Sequence, residues 1–296
     1  VVTGLPATGA RSFTAPTYHE LVDHPFFIGR FDVDSALVAG VWFRLSAYPV
    51  GSTTLGQRAK LLDQMQRVIP KQTQVFGDTP WRRYEIMQIA EKGFGGMSAL
   101  EHENSNVALV EAEALDEEFV PSVYAHEIFH AFNVKRVRPV DLWPYRYEAA
   151  QPTPWLWVSE GITDYYADLA LHRAGLTSRE EYLDSLSDKV EELQTTPGRL
   201  VQSAEIASFD AWIKYYRPDE NSVNTAISYY TKGAVVALLL DARIRKQTGG
   251  NRSLDDVLKA AYQKYADTKG YTADEFRAVA EQVAGIDLDR KSTRLN

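Results

Sequence analysis

Apolar positions recur along the chain with two different periods, and the change from one to the other falls near residue 115. Residues 33–48 carry Val38, Val41, Trp42, Phe43 and Leu45 ahead of a Pro49-Val50-Gly51-Ser52 break, and 83–89 alternates apolar and polar side chains, so both stretches predict strands. Between them Leu61, Leu62, Met65, Val68 and Ile69 fall at helical spacing, which predicts a helix over 55–69 closed by Pro70. Beyond residue 115 the pattern predicts helices over 119–132, 156–173, 180–193, 229–248, 254–265 and 273–283, with Gly249-Gly250, Gly270 and Gly285 as stops. Strands followed by helices predict an α+β fold of two lobes with a cleft at their junction, the first lobe β-rich and the second helical. The expected organisation is a leader or linker over 1–17, the β-rich lobe over 18–112, the helical lobe over 113–288 and a polar tail over 289–296.

Composition narrows the classes of function. With 45% hydrophobic and 24% charged residues in 296 positions, the chain has the balance of a folded protein with a large core. A net charge of -8 provides no summed basic field to attract nucleic acid or anionic lipid. The absence of Cys excludes disulfides, iron–sulfur clusters, thiolate zinc sites and cysteine nucleophiles together, so a metal would be held by His, Asp or Glu. The longest apolar run, 234–240, falls far short of the ~20 residues of a membrane-spanning helix. The chain begins Val1-Val2 with no basic-then-apolar leader, which reads as a piece of a longer protein. Compartment and oligomeric state are not legible in it.

The chemistry concentrates at His126-Glu127-Ile128-Phe129-His130. Four residues along a helix amount to about 400° of rotation and ~6 Å of rise, so both imidazoles face one side within reach of a single ion. Glu127, ~100° round from His126, is placed to reach a water at the metal without ligating the metal itself, as a general base must. A catalytic zinc site needs a third protein ligand and an open position. Glu160, in the stretch Leu156-Trp-Val-Ser-Glu-Gly-Ile-Thr-Asp164, is the candidate: a carboxylate among Trp157, Val158, Ile162 and Tyr165. Asp164 is one turn further on, suited to accept the other ring N–H of a ligand histidine.

The run from His126 through Ala131-Phe-Asn-Val-Lys-Arg-Val-Arg-Pro139, followed by 156–166 and Arg173-Ala-Gly-Leu176, closely resembles the glycyl aminopeptidase family of gluzincin metallopeptidases. The resemblance implies a thermolysin-like catalytic domain related to aminopeptidase N, with one zinc on His126, His130 and Glu160, and a substrate that is a peptide with a free N-terminus, cleaved after Gly and secondarily Ala. Relatives often carry an upstream β-domain, a downstream PDZ domain and an export signal, so a periplasmic or secreted parent is the expectation. Two further residues gain a role from the same resemblance. Leu100-Glu101-His102 is similar to the family's Gly-Gly-Leu-Glu-His motif, with Ser98-Ala99 where the glycines stand, and it implies that Glu101 binds the substrate's α-ammonium. Tyr229-Tyr-Thr-Lys-Gly233 resembles the stretch carrying the proton-donating tyrosine of aminopeptidase N relatives, which implies Tyr230 as oxyanion donor with Tyr229 as its rival. Two alternatives stand beside this reading: a metalloendopeptidase with the same zinc chemistry in an open cleft, and an inactive module that keeps the fold and binds peptides.

Overall fold

The computed structural model describes residues 1–266 and 268–286, so the tail expected over 289–296 lies outside the described residues. The chain divides into two compact units, one of residues 1–131 with 173–176 and the other of 132–172 with 177 onward.

The first unit opens with a two-stranded hairpin, β1 (Ala7–Gly9) and β2 (Ser12–Phe13), and a short helix α1 (Tyr18–Val22). Its centre is a five-stranded mixed sheet of β3 (Asp32–Val38), β4 (Val41–Tyr48), β5 (Arg83–Glu91), β6 (Met97–Glu101) and β7 (Ser105–Glu111), ordered β3-β4-β5-β7-β6. The stretch predicted as one strand region over 33–48 is the hairpin β3–β4, turned by Ala39 and Gly40 at φ 49° and 82°. β4 pairs parallel with β5, which demands a crossover, and helix α2 (Leu55–Phe76) supplies it. That helix does not stop at Pro70 as predicted but runs six residues past it. Proline removes one backbone donor, yet the continuation buries Gln72, Val75 and Phe76, and Gln72 Nε2 donates to the Ala125 carbonyl at 2.6 Å. A Thr54–Gln57 capping box starts the helix and Gly77 in the left-handed conformation ends it. The alternation over 83–89 marks a central strand with both faces covered. Its polar members are buried with partners: Glu85 accepts from Arg44 at 2.7 and 2.8 Å, and Gln88 accepts from Tyr124 at 2.6 Å. Helix α3 (Val120–Phe129) completes the unit, packed on α2, β6 and β7.

In the second unit a π-helical turn, Trp157–Gly161, leads into α4 (Ile162–Arg173), so the helix predicted over 156–173 begins one residue per turn wider than an α-helix. There follow α5 (Arg179–Thr195), α6 (Ala204–Phe209), α7 (Ser222–Thr225), α8 (Tyr229–Gln247), α9 (Leu254–Tyr265) and α10 (Ala273–Ala284). Helix α8 is the hub of this unit. It packs against the π-helical turn, α5, α6 and α9, begins at a Ser228 cap and ends with Arg245 and Lys246 in its last turn, complementing the helix dipole. The chain between α5 and α8 makes an excursion that is fastened at its base. A Cβ on Gly198 would stand 2.0 Å from the Ala226 carbonyl oxygen. The Ile227 amide donates to Gln202 Oε1 at 2.9 Å, and buried Lys232 donates to the carbonyls of Arg199 and Gln202 at 3.1 and 2.9 Å. No helix among the described residues is long and apolar enough to cross a membrane.

Candidate metal centre

Helix α3 is apolar on nearly every side, with Val120, Tyr124, Ala125, Ile128 and Phe129 buried, and Pro121 sits in its first turn where a missing N–H costs nothing. It is fixed by more than packing. Tyr124 donates to Gln88, Gln72 donates to the Ala125 carbonyl, and Phe129 meets Phe76 at 5.2 Å between ring centroids. His126 and His130 project from consecutive turns, with ring centroids 4.6 Å apart and Nε2 atoms 2.9 Å apart. At that separation at most one of the two facing nitrogens carries a proton. Glu127 is buried beside them in sequence, and its charge adds to burial in holding the Tyr124 phenol in its protonated form.

Glu160 is carried by the π-helical turn, and the side chain that braces this turn is Asn133, in the Asn-Val-Lys-Arg run. Its amide donates to the carbonyls of Val158 and Ser159 at 3.0 and 3.1 Å and lies 3.0 Å from Thr163 Oγ1, which itself donates to the Ser159 carbonyl at 2.6 Å. A π-turn spoils the regular α ladder, and the buried amide satisfies the carbonyls affected. On the other side Gly161 touches Gly233 of α8 backbone to backbone: a Cβ on Gly161 would lie 2.4 Å from the Gly233 Cα. Asp164, one turn beyond Glu160, shares Lys189 with Asp168 at 3.1 and 3.2 Å. Burial pulls the Lys189 ammonium down, but the two carboxylates outweigh it and hold the group well above the ordinary lysine range.

The Gly233 contact also places the first two residues of α8. The rings of Tyr229 and Tyr230 stack at 4.6 Å and 28°. Burial first, then the charge of Glu160, then Tyr229 and Tyr216 raise the Tyr230 phenol far above its usual value, whereas for Tyr229 the influence of Glu160 comes last among the causes. Both phenols are therefore proton donors at neutral pH, and Tyr230 is the one that feels Glu160 more. Glu101 ends the edge strand β6, opposite Asn106 of β7, and α3 packs on that strand. The basic run after the motif helix is not solvated: Arg136 and Arg138 are buried, Arg138 lies 4.4 Å over Trp143 and Lys135 lies 5.4 Å over Tyr145.

One ligating atom from each of His126, His130 and Glu160 lies within 4.8 Å of the others, and among the described residues this is the one such cluster of three. A tetrahedral ion at ~2.0–2.2 Å from each donor would space them at roughly 3.3–3.6 Å, so two imidazole nitrogens and a carboxylate oxygen at these separations suit zinc with little adjustment. Asn133 and Gly161–Gly233, which support the Glu160 turn, had no role in the sequence reading. In the sequence Asn133 is one letter of a motif, and the two glycines are recognisable as a pair only once the helices are seen to touch.

Residues 120–236 match the model of the M61 glycyl aminopeptidases, a stretch that contains the histidine pair, Glu127, Glu160, Asp164 and both tyrosines. No curated protein matches the chain. Among solved structures, an aminopeptidase N family protein from Idiomarina loihiensis is 28% identical over 97% of this chain and 51% of that one, with a TM-score of 0.89. An M1 zinc metallopeptidase from Deinococcus radiodurans, bound to a Tyr-Ser-Ala substrate, is 15% identical over 90% of this chain and 50% of that one at a TM-score of 0.55. Yeast LTA4 hydrolase in complex with bestatin is 15% identical over 88% and 39% at 0.58. The chain thus spans about half the length of the first two of these proteins. The α+β fold expected from the sequence, and its resemblance to the gluzincin metallopeptidases, are borne out.

Proposed function

We propose that this chain, whose residues 120–236 match the model of the M61 glycyl aminopeptidases, is a zinc-dependent aminopeptidase that releases N-terminal residues, Gly first and Ala second, from peptides with a free amine. The observation that carries this reading is the convergence of His126, His130 and Glu160, with Glu127 on the same helix as the two histidines. These three residues would hold one zinc ion per chain. When bound, the metal supplies Lewis acidity toward a water molecule and toward the peptide carbonyl.

The remaining work falls to side chains. Glu127 accepts a proton from the attacking water and passes it to the leaving amine, the two halves of general base and general acid catalysis. Tyr230 donates to the oxyanion of the tetrahedral intermediate, the charge that must be stabilised in the transition state. Asp164, already paired with Lys189, orients a ligand histidine through its second ring nitrogen. Glu101 accepts from the substrate's α-ammonium at the end of the edge strand, which fixes the scissile bond one residue from the N-terminus. The support for Glu101 is its position on β6, the strand against which the motif helix packs.

The test is a digest of Gly-initiated peptides with free and acetylated N-termini, read by mass, using the wild type, Glu127→Gln and Glu101→Ala. A charge-assisted hydrogen bond of ~1.5–3 kcal/mol corresponds to about 10- to 150-fold in kcat/KM. Free peptides should lose one residue at a time and acetylated ones should persist. Glu101→Ala should lose most of that discrimination, and Glu127→Gln should retain zinc without turnover. Internal cleavage of a blocked peptide at a comparable rate would refute the aminopeptidase reading and favour the endopeptidase.

A further inference from the structure

Helix α6 and the turns that continue it to Tyr216 reverse the usual placing of bulk on a surface helix. The residues turned inward are small: Ala207, Ser208 and Ala211 are buried, the two alanines in one cluster with Tyr229. The large ones, Ile206, Phe209, Trp212 and Ile213, are half exposed or more. Small inner residues let the backbone come close to its neighbours, and the Trp157 amide donates to Ser208 Oγ at 3.0 Å, which fastens α6 to the π-helical turn that carries Glu160. From the outer face a run of rings leads back to α8. Trp212 meets Tyr216 at 5.4 Å, Tyr216 meets Tyr215 at 5.1 Å, and Tyr215 meets Tyr230 at 5.8 Å. The Tyr216 hydroxyl stands 3.2 Å from that of Tyr229, which pins the middle of the run. The exposed aromatic face is therefore continuous with the residue given the oxyanion role.

We propose that this face binds the peptide substrate downstream of the scissile bond, with Trp212 as its outermost contact, and that it selects peptides with apolar or aromatic side chains there. The inference rests on the aminopeptidase reading above, which leaves one substrate residue on the amino side of the bond and all the others on the far side. Those others start at the carbonyl that Tyr230 is assigned to contact, and the run of rings starts at Tyr230 as well. Its three steps of 5.1–5.8 Å match the reach of up to about five residues of extended peptide at ~3.3–3.6 Å each. An extended chain turns alternate side chains to one face, so two or three of them would meet the rings. Exposed rings offer apolar area and aromatic faces without a fixed pattern of donors and acceptors, and they discriminate by class of side chain. Contiguous apolar side chains left open to solvent mark a binding surface, and the ring run says which molecule reaches this one.

The experiment compares Gly-Ala-Phe-Leu-Phe with Gly-Ala-Ser-Gln-Ser on the zinc-loaded protein. Affinity is measured by calorimetry in the Glu127→Gln background, where binding is read without turnover, and kcat/KM is measured with Glu127 intact. The apolar peptide should bind about 5- to 30-fold more tightly, the gain from laying one aromatic side chain on another. Trp212→Ala should bring that ratio close to 1 and Trp212→Phe should keep most of it. The Trp212 ring is 63% exposed, so both variants should melt near the wild-type temperature. Leu183→Ala, a half-exposed apolar residue of α5, is the control and should leave the ratio untouched. Equal affinity for the two peptides would overturn the proposal, as would a preference that survives Trp212→Ala. A dimer in solution that Trp212→Ala dissociates, with no change in preference, would assign the face to a second copy of the chain and overturn it too. Failure of the aminopeptidase reading shows elsewhere, in internal cleavage of acetylated peptides, and leaves the affinity ratio to be judged by itself.

Discussion

Substituting Gly233 by Ala tests whether the contact between α8 and the Glu160 turn is as tight as its geometry implies. The added Cβ would stand 2.4 Å from the Trp157 carbonyl oxygen, 2.9 Å from the Gly161 Cα and 3.1 Å from the Trp157 carbonyl carbon. Ordinary contact begins near 3.4 Å, so helix and turn must part by about 1 Å. None of the three atoms belongs to a side chain that can rotate away. Overpacking costs ~1–3 kcal/mol, and an all-backbone clash belongs at the upper end. Replacing glycine in a helix returns up to ~1 kcal/mol, leaving a net loss of about 2 kcal/mol. At ~2–4 °C per kcal/mol for a chain of this scale, the melting temperature should fall by roughly 4–8 °C. Activity should suffer more, because a ~1 Å displacement of Glu160 relative to Tyr230 can cost up to ~100-fold in kcat/KM. Thermal melts, zinc content and kcat/KM on Gly-initiated peptides are the assays. Gly56→Ala is the control, since the nearest atom to its added Cβ is Thr54 Oγ1 at 3.9 Å; it should melt at or above the wild-type temperature. A Gly233→Ala protein with wild-type melting and full activity would refute the reasoning.

Asn133→Ala leaves the Val158 carbonyl without its amide donor, while Thr163 still donates to the Ser159 carbonyl; the expected loss is ~1–3 kcal/mol in chemical denaturation, and about 10- to 100-fold in zinc affinity by chelator competition, as for partners that orient a ligand. The Glu111 carboxyl, lowered to about 2 by its hydrogen bond with Glu113 and by the Gly95 and Gly93 amides, binds its proton more weakly folded than unfolded. Its stabilisation is full above 4.5 and is lost as pH falls toward about 2. Urea titrations should therefore show the stability gap between wild type and Glu111→Gln closing over that window, and a constant gap would show that the hydrogen bonds contribute nothing.

How far the sequence could be read depended on whether a feature was written in local spacing. His126 and His130 were legible because four residues on a helix define their geometry without further knowledge, and the structure brings their ring nitrogens together with Glu160. The long helices α5, α8, α9 and α10 were legible within a few residues for the same reason. Pro70 misled because a local breaker was judged without the burial of Val75 and Phe76 and the Gln72 bond beyond it. The π-helical turn left no trace, since one extra residue per turn does not alter apolar spacing visibly over five positions. Strand β6 is hidden by its shortness, and α6 and α7 by having six and four residues. Glu85 reads as one polar step in an alternating strand because nothing local announces that Arg44, 41 residues earlier, will reach it. Tyr216 was invisible for a deeper reason, as its neighbours are chosen by where an irregular excursion returns.

The fastening of that excursion bears on how such a chain can be remodelled. Residues 203–225 leave and rejoin the helical unit at one place, where Gly198 abuts Ala226, Gln202 meets Ile227 and Lys232 ties down Arg199 and Gln202. With the ends held independently, the segment behaves as a cassette. Doubling its length would add only about 0.6 kcal/mol of closure entropy, so lineages or designers are free to vary its size and side chains while α8 stays as it is. The half-exposed aromatic surface of Trp212, Tyr215 and Tyr216 is the part of this unit most open to exchange, provided that whatever replaces it returns one hydroxyl to Tyr229.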